Sequence, residues 1–414
     1  MLPFVNTDPY AGPGRVYGRQ AVPPPQAPAD RPVRWRVAVS IGVVAAVLLG
    51  AVTAWATMML PDDPSSPTAQ PPAASSPAAA NEPGGAAAGA STASGQVTLS
   101  ATGDIVLGNA PSGLPPNEGR DVFAGVKDVL GSGLQMGNLE QTLTDDTGTT
   151  KCPAGNAGGS CYAFRTPPGY AKVLAAAGFK VVTMANNHAF DYGQRGYDNT
   201  KKALDAVGLK YTGAPGMITV VEEAGIRIAV VGFAPYAWAN DPNTIEAAKI
   251  LIQEATRKAD LVVVQVHMGA EGAEKTHVKP GSEIFLGENR GDPIKFSHAV
   301  IDAGADVVIG HGPHVMRGME FYKGRLIAYS LGNFTGVNAF QISGATAVGG
   351  VLKVTLRGDG SFVEGSLAST IMVKPGVAKV DTARQAAKMV GSLSSADFGA
   401  TAARVDANGV ITAP

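Results

Sequence analysis

The chain has 414 residues, room for one large domain or two ordinary ones. It is 45% hydrophobic and only 16% charged, with 33 Lys and Arg against 34 Asp and Glu and a net charge of −1. So balanced a chain sets up no field that would capture a polyanion, and no Lys/Arg run is interleaved with aromatics, which excludes nucleic acid as the expected partner.

Residues 1–36 are rich in Pro, Gly and Ala and read as a disordered cytoplasmic arm. Val37–Leu60 is uncharged and apolar apart from small polar residues, long enough as a helix to cross a bilayer core of roughly 30 Å. Arg15, Arg19, Arg31, Arg34 and Arg36 precede it, Asp62 and Asp63 follow, and the next basic residue is Arg120. This asymmetry predicts a single pass through the cytoplasmic membrane, with the N-terminus inside and the main domain outside. A cleaved signal peptide is the competing reading, because Ala54-Trp55-Ala56 has the form of a cleavage site; the long apolar run and long arm favour an anchor. No Cys lies near the end of the run, which excludes a lipoprotein. Residues 61–95 are almost entirely Pro, Ala, Ser and Gly, a spacer that cannot fold on its own.

From Gln96 the pattern alternates short β-branched runs with amphipathic helices. Strands are expected at 97–100, 134–136, 180–184, 226–233, 261–266 and 307–309, and helices at 122–130, 170–177, 196–207, 245–258 and 294–303. Beyond them come β-rich segments at 326–330, 351–356 and 362–369, then a possible helix from Thr382 to Leu393. Repeated strand–helix–strand units argue for an α/β fold over residues 96–375, with 376–414 as a C-terminal extension.

Two cysteines, Cys152 and Cys161, bracket a Gly-rich stretch. Outside the cytoplasm such a pair is readily bridged; the alternative, two ligands of a structural zinc, lacks a second Cys/His pair nearby.

Asp104, Asn138, Glu140, Asn187, His188, His267, His311 and His314 each fall at or just beyond the C-terminal end of an expected strand. In an α/β sheet those ends share one edge, where ligand sites form. The chain has six histidines, and four of them lie at these points. Each alone would read as an ordinary loop histidine. Gathered with carboxylates and amides, they read as a transition-metal site.

The segments Gly103-Asp104-Ile105-Val106-Leu107, Gly137-Asn138-Leu139-Glu140, Ala185-Asn186-Asn187-His188-Ala189-Phe190-Asp191-Tyr192-Gly193, His267-Met268-Gly269-Ala270-Glu271, Gly310-His311-Gly312-Pro313-His314-Val315 and Tyr329-Ser330-Leu331-Gly332-Asn333-Phe334 occur in the order seen in the bacterial capsule synthesis (CapA, poly-γ-glutamate) family. The chain resembles that family over roughly residues 96–375. The resemblance implies a metallophosphoesterase-like two-sheet sandwich flanked by helices, attached to the membrane. It also implies that Asp104, Asn138, Asn187, His188, His267, His311 and His314 hold one or two divalent metals, Mn, Zn or Fe. Glu140 is then a further ligand or a base. Asp191 would orient the His188 imidazole, and Glu271 would do the same for His267 or bind substrate. Arg165 is a candidate for an anionic substrate, and Asn333 for the pocket floor.

Three departures from metallophosphoesterases stand out. Asp104 lacks the usual His two residues on, Asn138 replaces a bridging Asp, and His311 and His314 are one residue further apart than in His-x-His. Two functions follow as expectations. One is a metal-dependent hydrolase or transferase on an anionic envelope polymer or its precursor. The other is a non-catalytic assembly factor of a polymer synthase or export complex, with a structural or vestigial metal.

Overall fold

The computed structural model of the protein describes residues 95–414, apart from 132, 149 and 153–160. The expected arm and membrane segment, and all but the last residue of the spacer, lie outside the described residues. Among the described residues, no helix is long and apolar enough to cross a membrane.

The β-branched runs form two sheets whose inner faces share one apolar core. In the first sheet, parallel strands Gln96–Val106, Leu134–Leu139, Val181–Thr183 and Lys210–Thr212 lie side by side. Antiparallel strands Val348–Arg357 and Phe362–Val373 continue it on the other side of Gln96–Val106. In the second sheet, Ile226–Phe233, Leu261–His267, Val307–His311 and Arg325–Ala328 are parallel, with Thr219–Glu223 and Met319–Tyr322 antiparallel at its edges. Val97, Leu99, Leu134 and Met136 from the first sheet meet Ile228, Val230, Val263 and Ile309 from the second.

Helices cover both outer faces. Ala171–Ala176 and Gly193–Asp205 pack Val173, Leu174, Tyr197 and Leu204 onto the first sheet. Ile245–Thr256 and Pro293–Asp302 pack Leu251, Ile252, Phe296 and Val300 onto the second. The second of these helices starts at Asp292, whose side chain accepts from the Lys295 N–H, with Pro293 in the first turn. The protein is thus a mixed α/β sandwich of two sheets flanked by helices.

The expected helix over 122–130 does not form. Only a short 3-10 turn, Ala124–Val126, occurs there. Gly125 weakens a helix by about 1 kcal/mol relative to Ala, and its position is needed bare: a Cβ would stand 2.7 Å from the Ala378 carbonyl oxygen. Residues 376–414 are built into the same body. Val377–Val380 and Val410–Thr412 pair with Phe362–Val373, and the helix Gln385–Phe398 sends Ala386 and Val390 into the core between the sheets.

Candidate metal centre

Strand alternation puts the site where the inter-sheet core ends. In Leu134-x-Met136-x-Asn138, Leu261-x-Val263-x-Gln265-x-His267 and Val307-x-Ile309-x-His311, the leading residues fill that core. With a side-chain period of two, Asn138, Gln265, His267 and His311 continue the same face at the C-terminal ends. His267 and His311 are register partners on neighbouring strands, and Asp104 is the partner of Asn138 in the other sheet.

Asp104 reaches this face through a register shift. Val97, Leu99 and Ala101 point between the sheets, yet Ile105 lies on the outer face, because the pairing slips between Ala101 and Asp104. Such an irregularity re-aims the side chains that follow. Gly103 permits it: a Cβ there would stand 1.8 Å from the Gly332 carbonyl oxygen, the same oxygen that accepts the Asp104 N–H at 3.0 Å.

Donor atoms of Asp104, Glu140 and His267 lie within 4.8 Å of one another, and all three residues are fully buried. Two more imidazoles close on Asp104, with His311 Nδ1 3.5 Å from Oδ1 and His314 Nδ1 3.1 Å from Oδ2. Glu140 Oε1 is 4.0 Å from His267 Nδ1 and 3.6 Å from His314 Nε2. His314 sits in the left-handed region at φ 60, uncommon for a residue with a Cβ, and Asn333 fixes it there. Asn333 Oδ1 meets His314 Nδ1 at 2.9 Å, while its Nδ2 donates to the His314 carbonyl at 3.3 Å. The expected pocket-floor residue is therefore a clamp on a site histidine.

Outer hydrogen bonds also orient the other rings. His188 Nδ1 meets Asp191 Oδ2 at 2.8 Å, and His311 Nε2 meets Gln265 Oε1 at 3.3 Å. A carboxylate or amide oxygen only accepts, so the ring nitrogen in each pair carries the proton. In the neutral rings, His188 Nε2 and His311 Nδ1 keep their lone pairs.

Burial opposes charge on all these groups, and neighbours decide the outcome. Burial, then the Asp104 charge, push Glu140 well above the carboxylate range. Asp104 is just as buried, yet the His311 and His314 rings beside it hold it far below that range. Burial drives the His267 imidazole well below its usual value and lowers His188 as well. For His314, burial is outweighed by Glu140, Asp104 and Glu271, which raise it to about 10. An imidazolium thus acts as counter-ion in a cluster that attracts cations.

The residues present fit a metal. Asp104 Oδ2, Glu140 Oε1, Asn187 Oδ1, His311 Nδ1 and both nitrogens of His267 are buried with no hydrogen-bond partner. So many unsatisfied atoms call for a ligand, and carboxylate with imidazole is the donor set of a first-row divalent ion. The buried Asp/Glu/His cluster could hold such an ion.

Several expected roles change. Asn138 does not turn its oxygen toward the carboxylates. Its Nδ2 donates to Asp104 Oδ1 at 2.9 Å and lies 3.3 Å from Glu140 Oε2, because its Oδ1 accepts from Asn186 Nδ2 at 2.8 Å. Backbone groups fix Asn186 in turn, as its Nδ2 donates to Leu139 O and its Oδ1 accepts from the His188 N–H. Glu271 serves His314 rather than His267. The chain turns at Gly269 (φ 99), bringing Glu271 Oε2 to 3.7 Å from His314 Nε2, and Arg290 Nη1 holds its other oxygen at 2.9 Å. Asp191 is fully buried and acts on the His188 ring. Arg165 donates to the Thr144 carbonyl at 3.3 Å and lies over the Tyr192 ring. Cys152 and Cys161 are joined, sulfur to sulfur, at 2.01 Å.

Sequence reasoning passed over Asn186, Gln265, Lys151 and Arg290. A signal existed for Gln265, a fully buried amide inside the Val-rich run 261–267, two residues before a site histidine. Trp238 supports the same edge, donating Nε1–H to the Asn186 carbonyl and stacking on Phe190 and Tyr236.

Fold and site together define a class: a mixed α/β sandwich whose inter-sheet core ends in a buried carboxylate–imidazole cluster suited to a metal. Residues 98–337 match the family described as bacterial capsule synthesis protein PGA_cap, and the chain belongs to that family. It is 31% identical over 257 residues to the PGA biosynthesis protein CapA of Bacillus subtilis (strain 168), covering 58% of this chain and 63% of that one. It is 30% identical over 262 residues to the capsule biosynthesis protein CapA of Bacillus anthracis, covering 58% and 59%. A probable polyglutamine synthesis accessory protein of Mycobacterium tuberculosis (strain ATCC 25618 / H37Rv) is 29% identical over 226 residues, 47% of this chain and 53% of that one. The chain therefore spans about three fifths or less of these relatives' lengths. Among solved structures, the NAD nucleotidase of Haemophilus influenzae aligns over 72% of this chain and 56% of its own at 14% identity and a TM-score of 0.37, a likeness too weak to argue from.

Proposed function

We propose that the protein is a membrane-anchored, extracytoplasmic enzyme of capsule or poly-γ-glutamate synthesis. It would act as a divalent-metal-dependent hydrolase or transferase on an anionic envelope polymer or its precursor. The names of its Bacillus relatives support the process, and the apolar segment 37–60 with its one-sided arginines supports the anchor. The observation that carries the chemistry is the cluster of unsatisfied, buried atoms of Asp104, Glu140 and His267. Its outer side is formed by His314 and Glu271, whose side chains keep 14% and 19% exposure, so the cluster has a wet face.

Asp104, Glu140, His267 and His311 would hold the ion, with His188 completing the set. Mn, Zn or Fe suits these donors. A bound ion supplies Lewis acidity and lowers the pKa of water. The chain's own groups do the rest. His314, at the open side beside Glu271, can pass a proton to a departing group, and Asn333 and Arg290 hold the two side chains in place.

A second reading, a non-catalytic accessory factor, is favoured by the Asn138 amide nitrogen facing both carboxylates and by the name of the mycobacterial relative. The test uses the full chain purified from membranes, with metal content measured alongside cleavage of poly-γ-glutamate and of phosphodiesters. Activity abolished by chelation and by Asp104→Asn supports the enzyme. Tight metal with no turnover supports the accessory role, and absence of any bound metal refutes the enzyme. A reporter fused after Pro414 is expected to be active only outside the cytoplasm.

A further inference from the structure

The two ends of the disulfide loop converge on a single pair of side chains, His188 and Asp191. Lys151, immediately before Cys152, places Nζ 2.6 Å from Asp191 Oδ1 and 3.2 Å from His188 Nδ1. The same ammonium donates to the Asn187 carbonyl at 3.0 Å, and the Lys151 N–H donates to the Asp191 carbonyl at 2.9 Å. Beyond Cys161, the Phe164 N–H donates to Asp191 Oδ2 at 2.6 Å, and the Phe164 ring packs on the His188 ring with centroids 4.5 Å apart. Asp191 and Phe164 are buried, as is Cys152 at the neck of the loop.

We propose that the Cys152–Cys161 bridge, with Lys151 and Phe164 beside it, is a clasp that positions the His188–Asp191 pair for the metal. Without the bridge, no covalent cross-link ties Lys151 and Phe164, which flank the Gly-rich segment, to each other. Holding both against Asp191 then costs the loop-closure entropy that the covalent bond removes. Asp191 in turn fixes the proton on His188 Nδ1 and aims Nε2. Lys151 and Phe164 are positioning residues, acting on the ion only through His188. In an oxidising compartment the clasp is closed; a reductant that opens the bridge loosens His188 while leaving Asp104, Glu140 and His267 in place.

This inference rests on the metal reading above, and the experiment separates the two. Manganese and zinc affinities are measured by calorimetry for the full chain, for Cys152→Ser/Cys161→Ser and for Lys151→Met. Nitrogen-15 spectra report the His188 tautomer in metal-free protein. The double variant is expected to lose about 10- to 100-fold in affinity, the range found when groups supporting a ligand are removed. Its His188 signal should shift from a single Nδ1–H tautomer toward a mixture. Lys151→Met gives a discriminating sign. It removes a positive charge next to the site, which by Coulomb's law alone favours a cation. A fall in affinity therefore reports lost positioning, whereas a rise overturns the proposal. Should the double variant fail to fold, Lys151→Met, which keeps the bridge, decides alone. Wild type that binds no ion overturns the metal reading and this inference with it. Wild-type binding with unchanged variants overturns the clasp only.

Discussion

Arg317→Met is expected to destabilise the protein by about 3 kcal/mol. Arg317 is 1% exposed, and all three of its guanidinium nitrogens are engaged. Nη1 and Nη2 donate to the two Glu283 oxygens at 2.8 Å each, and Nε donates to the Lys275 carbonyl at 2.7 Å. Methionine fills the space of the aliphatic stem but leaves Glu283 facing an apolar wall. Removing one partner of a buried ion pair costs about 3–5 kcal/mol, because the surviving charge is uncompensated. Glu283 keeps 17% side-chain exposure and the Ala270 N–H at 2.7 Å, which puts the value at the lower end. Equilibrium unfolding in urea measures the loss. Arg317→Met/Glu283→Gln, which removes the stranded charge, is expected to recover a large part of it. The pair pins the chain between Met268 and Gly291, which carries Glu271 and Arg290 to the site, so weakened metal binding should accompany the loss. A change below about 1 kcal/mol at unchanged m-value is what an exposed ion pair gives and would refute the reasoning.

Two further outcomes are expected. His188→Ala should lower bound metal, read by elemental analysis, with a far-ultraviolet circular dichroism spectrum like that of wild type; His298→Ala, on the helix Pro293–Asp302, should leave metal content unchanged. Glu320 titrates low: burial raises its pKa, but hydrogen bonds from His298, Tyr329 and Thr401 outweigh that and lower it. A carboxyl group whose pKa is depressed in the folded state stabilises fully above its unfolded value of about 4.3 and loses that contribution as pH falls through the folded value. The stability gap between wild type and Glu320→Gln should therefore be widest near neutral pH and narrow below about pH 4, as denaturant titrations across that range would reveal.

The sequence by itself determined the central strands of both sheets and, to within a few residues, where they lie. The strand Ile226–Phe233 coincides with the expected one, and Leu261–His267 and Val307–His311 extend the expected runs through their histidines. Alternation and Gly breaks are local properties, legible without knowing what packs where, and they already gathered Asp104, His267 and His311 at one edge. The failed helix at 122–130 marks the limit of local reading, since Gly125 is dictated by a close approach from residue 378. What only the tertiary structure decided is which atom of each side chain faces the centre. Asn138 turns its nitrogen inward because Asn186, from another strand end, takes its oxygen. His188, His311 and His314 each present one particular nitrogen because Asp191, Gln265 and Asn333 occupy the other. Glu271 reaches His314 because Arg290 holds it there. A ring or an amide has two nearly equivalent ends, and sequence spacing carries no preference between them. The choice is made by hydrogen-bond partners from distant segments, and those come within reach only when the two sheets close on each other.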